Sequence, residues 1–296
     1  NLMKIKALLE KVRPSFSFEF FPPKDSQGFE NLFTTIGQLE PCQPTYVSVT
    51  FGAGGSTRAQ TIDLVGRIKN EIGLESMAHL TCVGSSQEEL RSILDTLQEK
   101  GIQNVLALRG DPPQGQEKFE KPKNGFAYAN ELVEFIRKHY DFCIGVAGYP
   151  EGHVECPDKK TDLDNLKRKV DAGADFIVTQ LFFDNRFYFD FMEQARNSGI
   201  KIPIIPGIMP ILNVKQTQRF TKMCGSTIPE ALMKQLESSQ DEPETVRKIG
   251  IEHATLQCER LLQEEAPGIH FYTLNRSNAT LKILESLRNL SDKISD

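Results

Sequence analysis

The chain of 296 residues is 39% hydrophobic and 25% charged, enough to build one large domain or two of ordinary size. Its formal net charge of -5 argues against a global basic field that would gather nucleic acid or an anionic membrane. The cysteines Cys42, Cys82, Cys143, Cys156, Cys224 and Cys258 form no C-x-x-C pair, which argues against a disulfide framework and a zinc site and points to a reducing cytoplasm.

Residues 1–10 read as an amphipathic helix rather than a signal peptide, and no apolar run approaches the ~18 residues of a membrane span. Phe16 to Phe20 then reads as a strand, ended by Pro22-Pro23 because proline cannot donate to a sheet ladder. Phe16, Phe18 and Phe20 share one face of it, and Ser17, Glu19 and Phe21 the other. Glu19 has two readings. It is a solvent-facing strand residue, or it is a desolvated carboxylate whose pKa rises until it holds a proton near neutrality, a natural proton donor.

Further strands are predicted at Thr45 to Thr50, Met77 to Cys82, Asn104 to Leu108, Cys143 to Ala147, Phe176 to Gln180, Ile202 to Pro206 and His270 to Leu274. Amphipathic helices lie between them, including Arg58 to Glu71, Gln87 to Lys100, Ala127 to Lys138, Leu163 to Ala172 and Val214 to Met223. Ile228 to Leu236 and Glu244 to Glu264 add helices before the last strand, separated by a loop at Ser238 to Pro243. This alternation predicts a (β/α)8 TIM barrel, with a doubly wound sheet as the alternative.

In such a barrel the chemistry gathers where strands end. Those ends read Glu19; Thr50 with the glycine-rich Gly52 to Ser56; His79 and Thr81; Arg109-Gly110-Asp111; Tyr149 through His153; Gln180; and Tyr272 through Arg276. The glycine-rich stretch has neither dinucleotide-fold nor P-loop spacing and reads first as a tight loop. Asp162, Asn165 and Lys169 form a polar helical stripe, either a solvated surface or, with Arg109, a seat for a diphosphate. The histidines lack metal-ligand spacing, so no metal is expected. The aromatics Phe182, Phe183 and Phe187 to Phe189 read as core or as a stacking surface for a flat heterocycle.

Taken in order, Phe18-Glu19-Phe20-Phe21-Pro22-Pro23-Lys24, Val47 to Gly52, His79 to Cys82, Leu108 to Asp111, Tyr149-Pro150-Glu151, Asn165 to Ala174, Thr179 to Asp184, Pro206 to Pro210 and His270 to Arg276 closely resemble the methylenetetrahydrofolate reductase family. The resemblance implies a single FAD-binding barrel over residues 1–296. It implies ping-pong transfer of reducing equivalents from NADH or NADPH, with NADH favoured, through FAD to 5,10-methylenetetrahydrofolate, giving 5-methyltetrahydrofolate. By the same resemblance Glu19 is the general acid, with Asp111 and Gln180 orienting the folate beside the flavin. Thr50, His79, Arg109, Gly110, Asp111, Tyr128, Ala147, Tyr149, His153, Asp162, Asn165 and Lys169 fall at cofactor-binding positions, and Gln216, Phe220, Tyr272 and Arg276 at substrate positions. Relatives form dimers or tetramers.

The segment Gly115 to Gly125 beside Tyr128 is lysine-rich and slightly long, and Leu181 stands where the family often has phenylalanine. The resemblance is to the bacterial type, without a C-terminal regulatory domain, so adenosylmethionine feedback is expected to be absent. Two other functions fit parts of the pattern: a pterin-binding methyltransferase barrel without redox chemistry, and a non-catalytic flavoprotein subunit.

Overall fold

The computed structural model describes residues 3–52, 57–112, 115 and 118–295. Most of the glycine-rich stretch after Thr50 (residues 53–56), and residues 116 and 117 of the lysine-rich segment, lie outside the described residues.

In chain order the elements are α1 (Ile5–Lys11), β1 (Ser15–Phe20), α2 (Ser26–Leu39), β2 (Tyr46–Val49), α3 (Arg58–Arg67), β3 (Ser76–Thr81), α4 (Gln87–Glu99), β4 (Asn104–Leu108), α5 (Ala129–His139), β5 (Cys143–Gly148), α6 (Lys159–Asp171), β6 (Phe176–Thr179), α7 (Asn185–Asn197), β7 (Ile204–Ile205), β8 (Gly207–Ile208), α8 (Val214–Cys224), α9 (Glu230–Ser238), α10 (Pro243–Gln263), β9 (Gly268–Tyr272) and α11 (Asn278–Ser295). All strand pairs are parallel, in the order β7-β6-β5-β4-β3-β2-β1-β9-β8. β7 and β8 are two halves of one passage through the wall, so their pairing to β6 on one side and β9 on the other closes a (β/α)8 barrel.

The expected seventh strand, Ile202 to Pro206, is therefore corrected to two short pieces flanking Pro206. Proline brings no N–H to the ladder, yet its carbonyl still accepts the His270 N–H at 2.9 Å. Gly207 N–H turns instead to the Thr179 hydroxyl at 2.9 Å.

The strand pleat sorts side chains into two layers. Phe18, Phe20, Val47, Val49, Leu80, Val105 and Ile144 turn outward into the core shared with the helices. Tyr46, Met77, Leu106, Cys143, Phe176, Val178 and Ile205 turn inward and meet Ile5 and Leu9 of α1, which plugs the barrel floor. Lys4 gives α1 no side-chain cap, and the Ile5 N–H is satisfied instead by the Asn104 amide oxygen at 2.8 Å. Asn104 in turn donates to Glu75 at 2.8 Å, and Glu75 pairs with buried Lys69 at 3.0 Å.

Helices leaving the upper face start on side-chain caps, among them Asp25, Ser86 with Glu89, Asp158 and Asn213. The extra helices α9 and α10 bury Leu232, Leu236 and Val246 with Leu181, Phe183, Met209 and Ile211, buttressing the loops that follow β6 and β8. Phe182, Phe183 and Tyr188 are buried, which decides for core packing over a stacking surface. Among the described residues no helix is long and apolar enough to cross a membrane.

Candidate active site

Parallel pairing sets Ser17 opposite His270, and Glu19 opposite both Tyr272 and Ser48. With the inward set of the pleat these side chains meet inside the upper barrel, joined by His79 from β3. Glu19 Oε2 lies 3.1 Å from His270 Nε2 and 3.4 Å from His79 Nε2. His270 Nδ1 is 2.7 Å from Ser17 Oγ, and His79 Nε2 is 3.3 Å from Ser48 Oγ. If His270 carries its proton on Nε2, it donates to the carboxylate while Nδ1 accepts the serine hydroxyl, a tautomer assigned from its partners. The Thr273 hydroxyl donates to the Glu19 carbonyl at 2.7 Å and fixes its backbone.

Both readings of Glu19 need correction. Its side chain is only 16% exposed, so it is not a solvent-facing strand residue. Burial does push its pKa up, but the charges and hydrogen bonds of His79 and His270 outweigh that and hold the carboxyl down at about 2. Phe18 and Phe20 lie on the opposite face of the strand, in the outer core, so the groups hydrogen-bonded to the carboxylate are the histidines.

Glu19 lines a cavity of about 580 Å³ together with Thr50, His79, Arg109, Gly110, Asp111, Gln180, Phe220 and Tyr272. A side chamber of about 190 Å³ shares Glu19, Gln180, Phe220 and Tyr272 with it. The Tyr272 hydroxyl donates to the Thr179 carbonyl at 2.6 Å, tying β9 to β6 across the mouth. Gly110, at φ +88°, makes the turn that presents both Arg109 and Asp111; a Cβ there would come within 2.6 Å of Val83 and 2.8 Å of Thr81.

An adjoining cavity of about 490 Å³ is lined by Arg109, Tyr128, Ala147, Tyr149, His153, Asp162, Asn165 and Lys169, and it shares Arg109, Ala147, Tyr149 and His153 with the first. The helical stripe thus lines the cleft, with Asp162 buried, Lys169 half-buried and Asn165 exposed. Lys169 donates to the Ala147 carbonyl at 2.6 Å, and its ammonium lies 5.6 Å from the centre of the Tyr149 ring. Burial lowers its pKa to about 8 against the opposing charge of Asp162. Burial likewise raises Asp162 and Tyr149 and lowers His153. Arg109 makes a bidentate pair with Glu155, both contacts 2.7 Å.

Of the residues expected from sequence, only Gln216 and Arg276 stand apart from these cavities: Gln216 is half-buried on α8 one turn before Phe220, and Arg276 is exposed beyond β9. Ser17, His270, Ser48 and Glu155 were not anticipated. The spacings Ser17-x-Glu19 and His270-x-Tyr272 carried a usable signal, since barrel closure makes the first and last strands neighbours. Among the described residues no group of three or more His, Cys, Asp or Glu is placed to hold a metal ion.

The sequence model of the family described as methylenetetrahydrofolate reductase matches residues 4–288. A methylenetetrahydrofolate reductase (NADH) 1 from Arabidopsis thaliana is 45% identical over 295 residues, covering 96% of this chain and 50% of that protein. The chain spans about half the length of the plant relatives it matches. A 5,10-methylenetetrahydrofolate reductase from Escherichia coli is 40% identical over 271 residues, covering 92% of this chain and 90% of that protein. An uncharacterised Clostridium thermocellum protein, solved with two copies of 5-methyl-5,6,7,8-tetrahydrofolic acid, superposes with a TM-score of 0.64 at 14% identity over 97% of this chain and all of its own, a likeness of fold. With the family pattern matched over nearly its whole length and its strand-end residues gathered at one barrel mouth, the chain belongs to the methylenetetrahydrofolate reductase family.

Proposed function

We propose that this chain reduces 5,10-methylenetetrahydrofolate to 5-methyltetrahydrofolate with NADH or NADPH as donor, through bound FAD. The observation that carries the reading is the continuity of two cavities: a deep one with Glu19 and its histidines inside, and a cleft walled by Arg109 and Lys169. Family membership and the NADH-type plant relative support it further, and NADH is the favoured donor. A methyltransferase-type pterin barrel would use Glu19 and Asp111 but would leave the cationic cleft without a task.

The residues present fit FAD. The joined cavities suit an elongated ligand, and Lys169 spends one N–H on a carbonyl while keeping donors for an anion in the cleft it lines. Arg109, Asn165 and Lys169 would hold the diphosphate, with Tyr128, His153 and Asp162 around it. Thr50, Gly110, Asp111, Ala147 and Tyr149 would flank the flavin ring. When bound, FAD would supply hydride to the folate and recover it from the nicotinamide.

Glu19 delivers the proton that opens the folate's five-membered ring. The proton bonds to the nitrogen whose bond to the methylene carbon breaks, the bonding pair stays on that nitrogen, and the methylene is left as an iminium. Because its histidine neighbours keep Glu19 ionised, the carboxylate first takes up a proton from solvent through the open cavity and then passes it to the folate nitrogen. Asp111 and Gln180 orient the pterin, and Phe220 and Tyr272 pack against the bound substrate from the wall they share with Glu19.

The purified chain should bind FAD and be yellow, bleach anaerobically with NADH, and regain colour with methylenetetrahydrofolate. A protein that cannot take up FAD would sink the proposal.

A further inference from the structure

Arg109 presents a guanidinium fork to the cleft, yet that fork is already taken. Both terminal nitrogens meet the two Glu155 carboxylate oxygens at 2.7 Å. Phe119 lies over the same guanidinium at 5.0 Å. The pair stands where three cavities meet, of about 580, 490 and 520 Å³, each lined by both Arg109 and Glu155. The Glu155 backbone N–H donates to His153 Nδ1 at 3.1 Å. The Arg109 side chain is 20% exposed and Glu155 is 52% exposed, so the glutamate has solvent to turn into while the arginine keeps its place.

A carboxylate and a phosphate group present the same pair of acceptor oxygens to an arginine fork. We propose that Glu155 is an internal stand-in for the cofactor's diphosphate at Arg109 and that, by competing for this fork, it sets how tightly a phosphate-bearing flavin binds. This rests on the FAD reading above and adds to it a residue that weakens cofactor binding instead of supporting it. The same carboxylate keeps the fork paired when no anion occupies the cleft.

The test is a flavin-fluorescence titration of the flavin-stripped chain with FAD and with riboflavin, which lacks phosphate, in the parent, Glu155→Gln, Arg109→Ala and the double variant. Glu155→Gln should bind FAD about tenfold more tightly, the scale of one charged hydrogen-bonded pair, and riboflavin unchanged. The gain should vanish when Arg109 is absent. FAD affinity that is unchanged or weaker in Glu155→Gln, an equal gain for riboflavin, or a gain that persists in the Arg109→Ala background would each overturn the inference and leave the flavin assignment standing. A parent chain that binds no FAD would overturn both.

Discussion

Glu19 is held by two imidazoles, which separates the acid role proposed for it from its own intrinsic acidity. In the proposed reaction the ionised carboxylate must take up a proton before it delivers one, so removing its charge while keeping its shape should stop ring opening and spare the other half-reaction. Glu19→Gln should lower folate turnover by about 10²-fold or more while NADH still bleaches bound flavin at the parent rate in stopped flow. Equal folate turnover in the two proteins would refute this role. The depressed pKa has a second consequence. A carboxyl held at about 2, against an ordinary value of 4.5, contributes stability that is fully present above the ordinary value and is lost as pH falls through about 2. The difference in melting temperature between the parent and Glu19→Gln should therefore be widest near neutral pH and shrink as pH drops from 5 toward 3, as followed by circular dichroism. A gap independent of pH would mean that the histidines do not stabilise the carboxylate.

At the scale of elements, α1 works as a plug rather than as one of the barrel's crossover helices. Its apolar side, Ile5 and Leu9, closes the floor beneath Tyr46 and Phe176, and Asn104 satisfies its first amide. Leu9→Ala would leave a cavity among residues that cannot easily collapse into it. It should cost about 2–5 kcal/mol in urea unfolding while leaving flavin affinity near the parent value, since the mouth is at the other end of the strands. A loss below about 0.5 kcal/mol, typical of surface sites, would show that α1 does not seal the barrel. The α1 helix itself was legible from residues 1–10, but its docking was not. Amphipathicity says that one side of a helix must be buried and does not say against what. The split at Pro206 is a similar case: proline's missing donor is visible in the sequence, whereas the partners of the two halves belong to the closed sheet.

For the whole molecule, ligand binding and folding are linked. If FAD occupies the joined cavities, FAD in hundredfold excess over its dissociation constant should stabilise the native state by about 2.7 kcal/mol and raise the melting temperature, whereas riboflavin at the same concentration, unable to engage Arg109 and Lys169 through a diphosphate, should do less. Equal shifts for the two flavins would argue against a diphosphate site in the cleft. What the amino-acid sequence determined by itself was the local order: alternating strands and helices, the residues standing at strand ends, and the ordered blocks that mark the family. These depend on side-chain periodicity and backbone preferences over a few neighbouring residues, so they can be read along the chain. Only the closed barrel decided the company each residue keeps. Ser17 and His270 lie 253 positions apart yet meet because the first and last strands pair, and the barrel likewise sets His79 and His270 against Glu19, which reversed its expected acidity. Likewise Glu155 was one of many acidic residues in a loop until the fold set it against Arg109. A pKa is set by whatever charges and burial surround a group in space, and in a barrel most of those neighbours come from distant parts of the chain.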